Sequence, residues 1–456
     1  MDFDVIVAGA GPAGCIAARE LAGRGFSVGL FEAEGRSRMG QSIIVEVERS
    51  CFSRAGIEAP HEAEVAYHPT SSRVFSARKV EAFRWEGVPP LAIRLDRLVR
   101  RLVDQAEAVG TRFFDGYRVQ RALQEGDRIC GALFEHRGNR EEVRARLVID
   151  ATGFKAALVR SLDPELDFAF RDELSDCVHA ANYLHDIDPE RAVEAIHSGL
   201  QAAEETWVWL GTAGPYSTIC SHLSLRKNCA YVLVGQKADY RGPPVEQVAQ
   251  EHRKAQGYFG KKIVGGRGPI RVTRPLDRLV CNGFLVIGEA ARMVTPINGS
   301  GVGNALTAAR LAAAVATEAL SEGEPTAESL WAFARQFQRT EGASLAALDA
   351  IRLTVESLTD DQVADLLESG LSGPEDMTNA ARGLPLSLSP LTLPRRLRAL
   401  ASHPELIKPL ARMAVAVAEI RRLYRKYPAT ADPQALASWS KQADHLFSPW
   451  RLPSLG

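Results

Sequence analysis

The first 32 residues contain the feature that most restricts how this chain can fold. An apolar run ends at Gly9, where a positive φ allows a tight turn, and two more glycines follow at Gly11 and Gly14. Gly11 lets the backbone approach a pyrophosphate, and Gly14 lets the next helix lie against the strand. A second apolar run ends at Glu32, about 20 residues after the turn, and its carboxylate can accept hydrogen bonds from ribose hydroxyls. This spacing predicts a strand, a helix and a second strand that bind a dinucleotide.

The helix predicted from about Pro12 to Gly23 begins at the glycine turn. Its first turn presents backbone N–H groups and the positive end of the helix dipole, which together favour a bound phosphate. The residues assigned to this part of the site are Gly9, Gly11, Pro12, Ala13, Gly14 and Glu32. A glycine pattern alone is a weak signal, but strand, helix, second strand and terminal acid in register indicate a flavin or nicotinamide site.

The composition is typical of a water-soluble globular protein with two or three domains. The chain has 456 residues, of which 46% are hydrophobic and 24% charged, and its net charge is −1. This near-neutral charge argues against nucleic acid as a partner. The N-terminus has no signal-peptide pattern, no run is apolar enough to span a membrane, and the seven cysteines are scattered. We therefore expect a cytoplasmic protein without disulfides or structural zinc.

Three separated segments are predicted to form one nucleotide-binding domain. The first is the opening unit, and the second contains an amphipathic helix from Leu95 and an apolar strand that reaches Asp150 and a turn at Gly153. The third contains a buried strand from Phe284, a glycine-rich loop and a helix from about Gly303 to Ser321. Residues near 171 to 270 hold several β-like runs, which predicts an inserted sheet.

The predicted boundaries are 1–65, 91–170 and 271–330 for the nucleotide-binding domain, 66–90 and 171–270 for the sheet, and 331–456 for a helical region. Thr359 and Gln362 form a capping box in that helical region. From Pro394 to Lys426 it carries nine Lys/Arg against two acids, a net charge of +7. Two interpretations stay open: a solvated helix face, or a dock for an acidic partner or a membrane surface.

The glycine-rich third segment resembles a known family. Gly288-Glu-Ala-Ala-Arg-Met-Val-Thr-Pro-Ile-Asn-Gly-Ser-Gly-Val302 is similar to the Gly-Asp-Ala block of flavoproteins built like p-hydroxybenzoate hydroxylase, with Glu289 in place of the usual aspartate. Asp150-Ala-Thr-Gly153 resembles the motif of the branch that contains geranylgeranyl reductases and flavin-dependent halogenases. Gly40-Gln-Ser42 and Trp207-Val-Trp209 resemble elements of the halogenases.

This resemblance implies FAD as the cofactor and an α/β fold: a Rossmann-like FAD-binding domain with an inserted antiparallel β-sheet substrate domain and a C-terminal α-helical region. It implies that an acid holds the ribityl chain and that the loop after a proline lies beside the isoalloxazine. The cofactor residues it implies are Ser42, Arg94 (with Arg97 as the alternative flavin-contacting arginine), Asp150, Gly153, Gly288, Glu289, Gly301 and Val302; Pro296 and Gly299 are the implied catalytic loop positions. The electrons come from NAD(P)H or from a separate flavin reductase.

A flavin supplies the redox chemistry, which explains why the sequence has no nucleophile triad and no metal-binding motif. His222 lies on a strand expected to face the substrate, and we consider it a candidate acid or base near neutral pH. Trp207 and Trp209 share one strand face and either wall a substrate pocket or pack in the core.

Four functions are compatible with the sequence. The leading expectation is an FAD-dependent monooxygenase that hydroxylates an aromatic, tryptophan-like substrate, either a small molecule or part of a partner polypeptide, through a flavin hydroperoxide. The alternative is a geranylgeranyl-reductase-type reduction of isoprenoid double bonds, which Leu358-Thr-Asp-Asp-Gln-Val363 favours by resemblance. A halogenase is third, with Lys79 as the candidate lysine, and a non-catalytic flavoprotein is last.

Overall fold

The protein is described here by a computed structural model that covers residues 2–86, 90–168, 170, 173–381 and 392–450. The strands within these residues are β1 (Phe3–Ala8), β2 (Val28–Glu32), β3 (Ile44–Val47), β4 (Val65–Tyr67), β5 (Ser71–Phe75), β6 (Glu81–Trp85), β7 (Leu91–Arg94), β8 (Arg112–Asp115), β9 (Arg118–Glu125), β10 (Arg128–His136), β11 (Asn139–Asp150), β12 (Cys177–Ile187), β13 (Glu205–Leu210), β14 (Thr218–Ser224), β15 (Cys229–Lys237), β16 (Phe259–Arg271), β17 (Val280–Cys281) and β18 (Phe284–Val286).

The α-helices within the same residues are α1 (Pro12–Ala22), α2 (Ser50–Arg54), α3 (Leu95–Ala108), α4 (Pro189–His197), α5 (Val245–Gln256), α6 (Val302–Glu322), α7 (Ala327–Phe337), α8 (Ala343–Glu356), α9 (Asp360–Glu368), α10 (Pro374–Ala381), α11 (Leu393–Ser402), α12 (Ile407–Arg425) and α13 (Pro433–Phe447). None of these described helices combines the length and the apolar character that crossing a membrane requires.

The first sheet has the strand order β17-β18-β11-β1-β2-β8, and the pairs from β18 to β8 are all parallel. Val5, Ile6 and Val7 of the central strand are completely buried, as expected for a parallel strand that is covered on both faces. Helix α1 connects β1 to β2 and packs against α3 and α6. The chain therefore continues from β1 to β2, which pairs with one edge of β1. Strand β11 pairs with the other edge of β1.

The second sheet has seven strands in the order β16-β12-β15-β14-β13-β5-β6, antiparallel except for the pair β13–β5. We call the face that carries Tyr231 its inner face, because Tyr231 packs there on Tyr67 of a small third sheet, β3-β7-β4. We call the opposite side its outer face. On the outer face, Val245 and Ala249 of α5 pack against Val234.

Asn182 on β12 joins the small sheet to the inner face. Its Oδ1 accepts a hydrogen bond from the Ile44 N–H group (3.0 Å), and its Nδ2 donates to the Ile44 carbonyl oxygen (2.8 Å) and to the Tyr231 hydroxyl (3.0 Å). The residue is buried, so these bonds replace water as the partner of each polar group. They fix the position of β3 against the seven-stranded sheet.

A buried ion pair connects the helical region to the second sheet. Asp349 of α8 accepts hydrogen bonds from Arg352 at 2.9 and 2.7 Å, and both side chains are at most 1% exposed. The other Asp349 oxygen accepts from the Arg274 N–H group (2.9 Å) and from the Thr273 hydroxyl (3.2 Å). Because Thr273 and Arg274 directly follow β16, this pair fixes α8 at the end of the longest strand of the second sheet.

The predicted fold class is confirmed: an α/β FAD-binding type of domain, an inserted largely antiparallel sheet and C-terminal helices. The strand after α1 begins at Val28 and the third-segment helix at Val302, each within one residue of the predicted start. The domain boundaries remain predictions. The predicted boundary at residue 171 and the last six residues of the helical region lie outside the described residues.

We predict that Asn182→Ala lowers the free energy of unfolding by about 2–4 kcal/mol, because it leaves two backbone groups of Ile44 and the Tyr231 hydroxyl without this partner in the interior. Urea unfolding measures the effect. The exposed Asn139→Ala is the control and should change stability by less than about 0.5 kcal/mol. Equal stability of the two variants would contradict the role assigned to Asn182.

Candidate functional site

The candidate site lies where the strand order of the first sheet changes direction. Ala8 at the end of β1 is paired with Asp150 at the end of β11, so the turns that follow these two strands lie side by side. In open α/β sheets such a crevice at the carboxyl ends of the strands is the usual position for a ligand.

The three glycines of the first motif lie at this crevice and have different surroundings. Gly9 has a φ of +101°, and a Cβ atom on it would lie 2.3 Å from the Ala151 carbonyl oxygen. A Cβ atom on Gly14 would lie 1.9 Å from the Gly9 carbonyl oxygen. A Cβ atom on Gly11 would meet no described atom within 4 Å, so the backbone there borders open space. These surroundings match the role predicted for each glycine.

Helix α1 begins at this open space with Pro12 and Ala13. No side chain caps its N-terminus, and its first turn contains no acid. Its free N–H groups and the positive end of its dipole are therefore available to a phosphate. At the end of β2, Glu32 accepts hydrogen bonds from the backbone N–H groups of Ala10 (2.8 Å) and Glu34 (3.0 Å), which hold its carboxylate beside the glycine turn.

Asp150 has a different position from the one expected of a cofactor ligand. One of its oxygens accepts hydrogen bonds from the Thr152 N–H group (2.9 Å) and hydroxyl (2.7 Å), and the other accepts from the N–H groups of Leu158 (3.0 Å) and Val159 (2.8 Å). The side chain is completely buried. Asp150 therefore organises the loop that carries Gly153, and contact with the cofactor would come from that loop.

The third motif packs directly against the first. A Cβ atom on Gly288, where φ is +66°, would lie 3.1 Å from the Cβ atom of Ala13. The next residue, Glu289, lies near Gly153, whose added Cβ would be 3.9 Å from Glu289 Oε2. Burial raises the pKa of Glu289 to about 7, while the Arg271 guanidinium acts in the opposite direction. Glu289 therefore lies between the second and third motifs, which is the position expected of an acid that binds a ribityl chain.

The loop from residue 294 to 301 connects this motif to the other two sheets. Gly299 has a φ of +70° and borders Ile270 of β16, since an added Cβ would lie 3.5 Å from Ile270 Cδ1. The Ser300 hydroxyl donates to the Glu46 carbonyl oxygen (3.2 Å). Pro296 lies within this loop and is buried. The loop therefore lies where the FAD-binding domain meets the inserted sheets.

Helix α6 begins directly after this loop. Gly301 is its N-cap residue, Val302 is its first residue, and no side chain caps it. An added Cβ on Gly301 would lie 3.1 Å from Val294 Cγ2, which leaves little room for a side chain. A second helix N-terminus with free N–H groups therefore faces the same region as α1.

Of the remaining predicted cofactor residues, the two arginines have protein partners. Ser42 is exposed in the loop before β3. Arg94 makes two hydrogen bonds with Asp96, at 2.9 and 2.8 Å, and Arg97 donates to the Ala63 carbonyl oxygen. The flavin-contacting arginine stays a prediction.

Side chains of the small sheet and of the inner face meet beside the 294–301 loop. We call this group the inner cluster: Glu46, Tyr67, Cys220, His222 and Tyr231. The Tyr67 hydroxyl donates to Glu46 Oε1 (3.5 Å), and the Tyr67 ring stacks on His222 with 4.0 Å between ring centroids. Burial raises the pKa of Glu46 to about 6, with the Tyr67 hydroxyl acting in the opposite direction. The inner cluster therefore contains an acid that stays largely protonated up to weakly acidic pH.

Sequence reasoning missed Glu46 and Tyr67. The available signal was the β-type run Ile43-Ile-Val-Glu-Val47. Glu46 comes two residues after Ile44, so in a strand both side chains point to the same face. That face turned out to be the one docked on the inner face of the second sheet.

His222 belongs to the inner cluster but is unsuited to titrate near neutral pH. It is completely buried, its Nδ1 bonds with the Thr206 hydroxyl (3.1 Å), and burial lowers its pKa to about 3. Its imidazole is therefore neutral under physiological conditions, which argues against the predicted acid–base role.

Trp207 and Trp209 lie on the outer face. Trp209 packs with the α5 residues Val245 and Ala249, and its ring contacts His252 of the same helix with 5.2 Å between centroids. Since β13 places Thr206 opposite His222 and Trp207 opposite Ser221, the two tryptophans point away from the inner cluster. The structure does not bring them together with the cofactor residues, and it supports the core-packing interpretation.

The residues at the crevice fit an FAD molecule. Gly11 leaves open space at an uncapped helix N-terminus, Glu32 can accept from ribose, and Glu289 lies toward the 294–301 loop. A phosphate, a ribose and a ribityl chain thus each have a chemically matching group in the three motifs.

Comparison with known proteins gives the same cofactor. The family model described as "FAD binding domain" matches residues 2–326. The digeranylgeranylglycerophospholipid reductase of Sulfolobus acidocaldarius is 23% identical over 458 residues, which cover 98% of each chain. A geranylgeranyl bacteriochlorophyll reductase-like protein from Thermoplasma acidophilum has a similar structure, with a TM-score of 0.70, 19% identity and coverage of 90% of this chain and 99% of that one. The myxobacterial chondrochloren halogenase gives a TM-score of 0.61 at 16% identity, over 99% and 98% of the two chains.

We predict different effects for alanine at two glycines of the first motif, a loss of stability at Gly14 and a loss of FAD affinity at Gly11. Gly14→Ala should destabilise the FAD-free protein by about 2–4 kcal/mol, because its Cβ would clash with the Gly9 carbonyl oxygen. Gly11→Ala should leave the stability of the FAD-free protein unchanged and weaken FAD binding by about tenfold or more, because its methyl group would occupy the space needed by the pyrophosphate. Thermal unfolding and FAD titration separate the two effects; normal FAD affinity in Gly11→Ala would contradict the site.

Proposed function

We propose that this chain, which belongs to the FAD-binding-domain family, reduces carbon–carbon double bonds of isoprenoid chains. Family membership makes it an FAD-dependent oxidoreductase, and the reaction type is the part that we infer. The observation that carries the inference is Glu46, a partly buried acid of raised pKa whose carbonyl oxygen accepts a hydrogen bond from Ser300 of the 294–301 loop.

The relatives support a reductase more than an oxygenase. The Sulfolobus protein is a digeranylgeranylglycerophospholipid reductase by name, and the similarity extends over nearly the whole of both chains, including the helical region. The similar solved structures include reductase-like proteins, halogenases and a probable monooxygenase, so they support the fold alone.

In the proposed reaction, bound reduced FAD supplies a hydride to one carbon of the double bond. The other carbon needs a proton, and the Glu46 carboxyl group can provide it from Oε1 or Oε2. Burial raises the pKa of this carboxyl to about 6, so it is largely protonated below that pH, and the Tyr67 hydroxyl, 3.5 Å from Oε1, orients it. The aromatic rings of Tyr67 and Tyr231 offer an apolar surface to an isoprenoid chain.

The position of Lys79 does not favour the halogenase alternative. Lys79 is exposed in the turn between β5 and β6, at one edge of the seven-stranded sheet. Gly299 contacts β16 at the opposite edge. Six strand spacings of about 4.8 Å each separate β16 from β6, so the two edges are about 30 Å apart along the sheet. His222, the candidate acid or base for the leading monooxygenase expectation, is buried, and burial lowers the pKa of its imidazole to about 3.

We predict that the purified protein with FAD saturates double bonds of a geranylgeranyl lipid under anaerobic conditions with dithionite as the electron source. Mass spectrometry should detect products heavier by two hydrogens for each bond reduced. Dithionite makes this test independent of the natural donor, which we propose to be NAD(P)H or a separate reductase. The proposal fails if the lipid is unchanged without oxygen and an aromatic substrate instead drives oxygen consumption.

We predict that Glu46→Gln lowers the rate of double-bond reduction by about 10²–10⁴-fold, since an amide cannot donate this proton. The wild-type rate should fall as pH rises above about 6, the pKa to which burial raises Glu46, because the protonated fraction decreases. Glu46→Gln should lose this pH dependence while retaining bound FAD. Glu48→Gln, two residues later and exposed, is the matched control and should behave as wild type. An unchanged pH profile in Glu46→Gln would exclude Glu46 as the donor.

A further inference from the structure

The basic helical region exposes apolar side chains among its cations. Leu393 (39% exposed) and Leu397 (57%) lie on α11, and Ile407 (48%) and Val415 (64%) lie on α12. They are four of the eleven large hydrophobic side chains exposed in the described residues, yet they fall within one short part of the chain. A concentration of this kind indicates an interaction surface.

Helix α12 has apolar residues on two opposite faces. Its buried face packs on α8 and consists of Met413, Val417, Ile420 and Tyr424. Its exposed face consists of Ile407, Ala411, Val415 and Ala418, which are spaced four, four and three residues apart and therefore lie along one line. The first face explains how α12 is held in the fold. The second adds nothing to that packing.

Cations border the exposed face. Arg398, Lys408, Arg412 and Arg422 are all exposed there. The acids of this part of the chain are Glu405 and Glu419, so the surface is strongly positive even though the whole protein carries a net charge of −1.

Two of these cations line a small cavity. Lys408 and Arg412, one helical turn apart, border a space of about 150 Å³ together with Thr354, Ser357 and Trp450. The Thr354 and Ser357 hydroxyls donate to backbone carbonyl oxygens of α8. Arg412 donates one hydrogen bond to the Pro449 carbonyl oxygen (3.4 Å), and its guanidinium lies 5.5 Å from the Trp450 ring centroid, so Lys408 and the other N–H groups of Arg412 are the cationic donors for an anion here. Two cationic side chains and an aromatic ring suit the phosphate of a lipid headgroup and its apolar surroundings.

We propose that α11 and α12 form a peripheral docking surface for a bilayer that contains anionic phospholipids. Leu393, Leu397, Ile407 and Val415 would enter the boundary between headgroups and acyl chains, and Lys408 and Arg412 would bind headgroup phosphate. Apolar burial and attraction to anionic lipid are the two contributions that hold a basic amphipathic helix at a membrane surface. This proposal does not depend on the reaction performed at the flavin site.

Cosedimentation of the FAD-loaded protein with vesicles tests the proposal. We expect binding to vesicles of phosphatidylcholine mixed with phosphatidylglycerol, and much weaker binding to phosphatidylcholine alone. Lys408→Gln/Arg412→Gln should weaken binding about 25-fold, about fivefold for each cation. Leu397→Ser/Val415→Ser should weaken it by about tenfold or more.

Matched variants elsewhere on the surface serve as controls. Lys254→Gln/Lys261→Gln removes two exposed cations of α5 and β16, and Val193→Ser/Leu200→Ser removes two exposed apolar side chains in and after α4; both should bind vesicles as wild type does. Retained FAD and an unchanged circular dichroism spectrum show that each variant is folded. The proposal is overturned by failure to bind anionic vesicles, by equal losses in control and test variants, or by a concentration-dependent dimer that Leu397→Ser/Val415→Ser abolishes in the absence of lipid.

Discussion

The close backbone contact at the start of α1 is the constraint on which the rest of the site depends. Gly14 approaches the Gly9 carbonyl oxygen so closely that no Cβ atom fits, and Gly9 approaches the Ala151 carbonyl oxygen in the same way. These contacts set the distances between α1, β1 and the loop after β11. That loop is in turn held by Asp150, and it carries Gly153 to Glu289. The cofactor side of the site is therefore built mainly from backbone.

This construction explains why the cofactor could be predicted from the sequence. A backbone contact that excludes Cβ requires glycine at fixed positions, and an acid at a strand end lies a fixed number of residues away, so the pattern is visible in one short segment. The capping box at Thr359 was predictable for the same reason, because it joins residues within one helical turn. A contact between residues close in sequence can therefore be recognised from a short sequence pattern.

The substrate side depends on pairing between distant strands, which the sequence does not contain. The faces of Trp207 and His222 follow from the register of β13 against β14, and a shift of one residue would exchange them. Asn182 docks β3, 138 residues earlier in the chain, and so brings Glu46 to Tyr67 and Tyr231. Neither the register nor this docking has a sequence pattern of its own. The sequence alone therefore could not place His222, Trp207 and Trp209 relative to the cofactor residues.

Two partly buried acids near the 294–301 loop have similarly raised pKa values but different surroundings. Burial raises the pKa of both Glu289, to about 7, and Glu46, to about 6. Glu289 lies beside Gly153 and the Arg271 guanidinium, among the segments that enclose the cofactor. Glu46 faces Tyr67 and the inner face of the second sheet, on the other side of the loop. We therefore propose that Glu289, beside cofactor-binding backbone, holds the cofactor and that Glu46, beside aromatic rings, gives a proton to an apolar substrate.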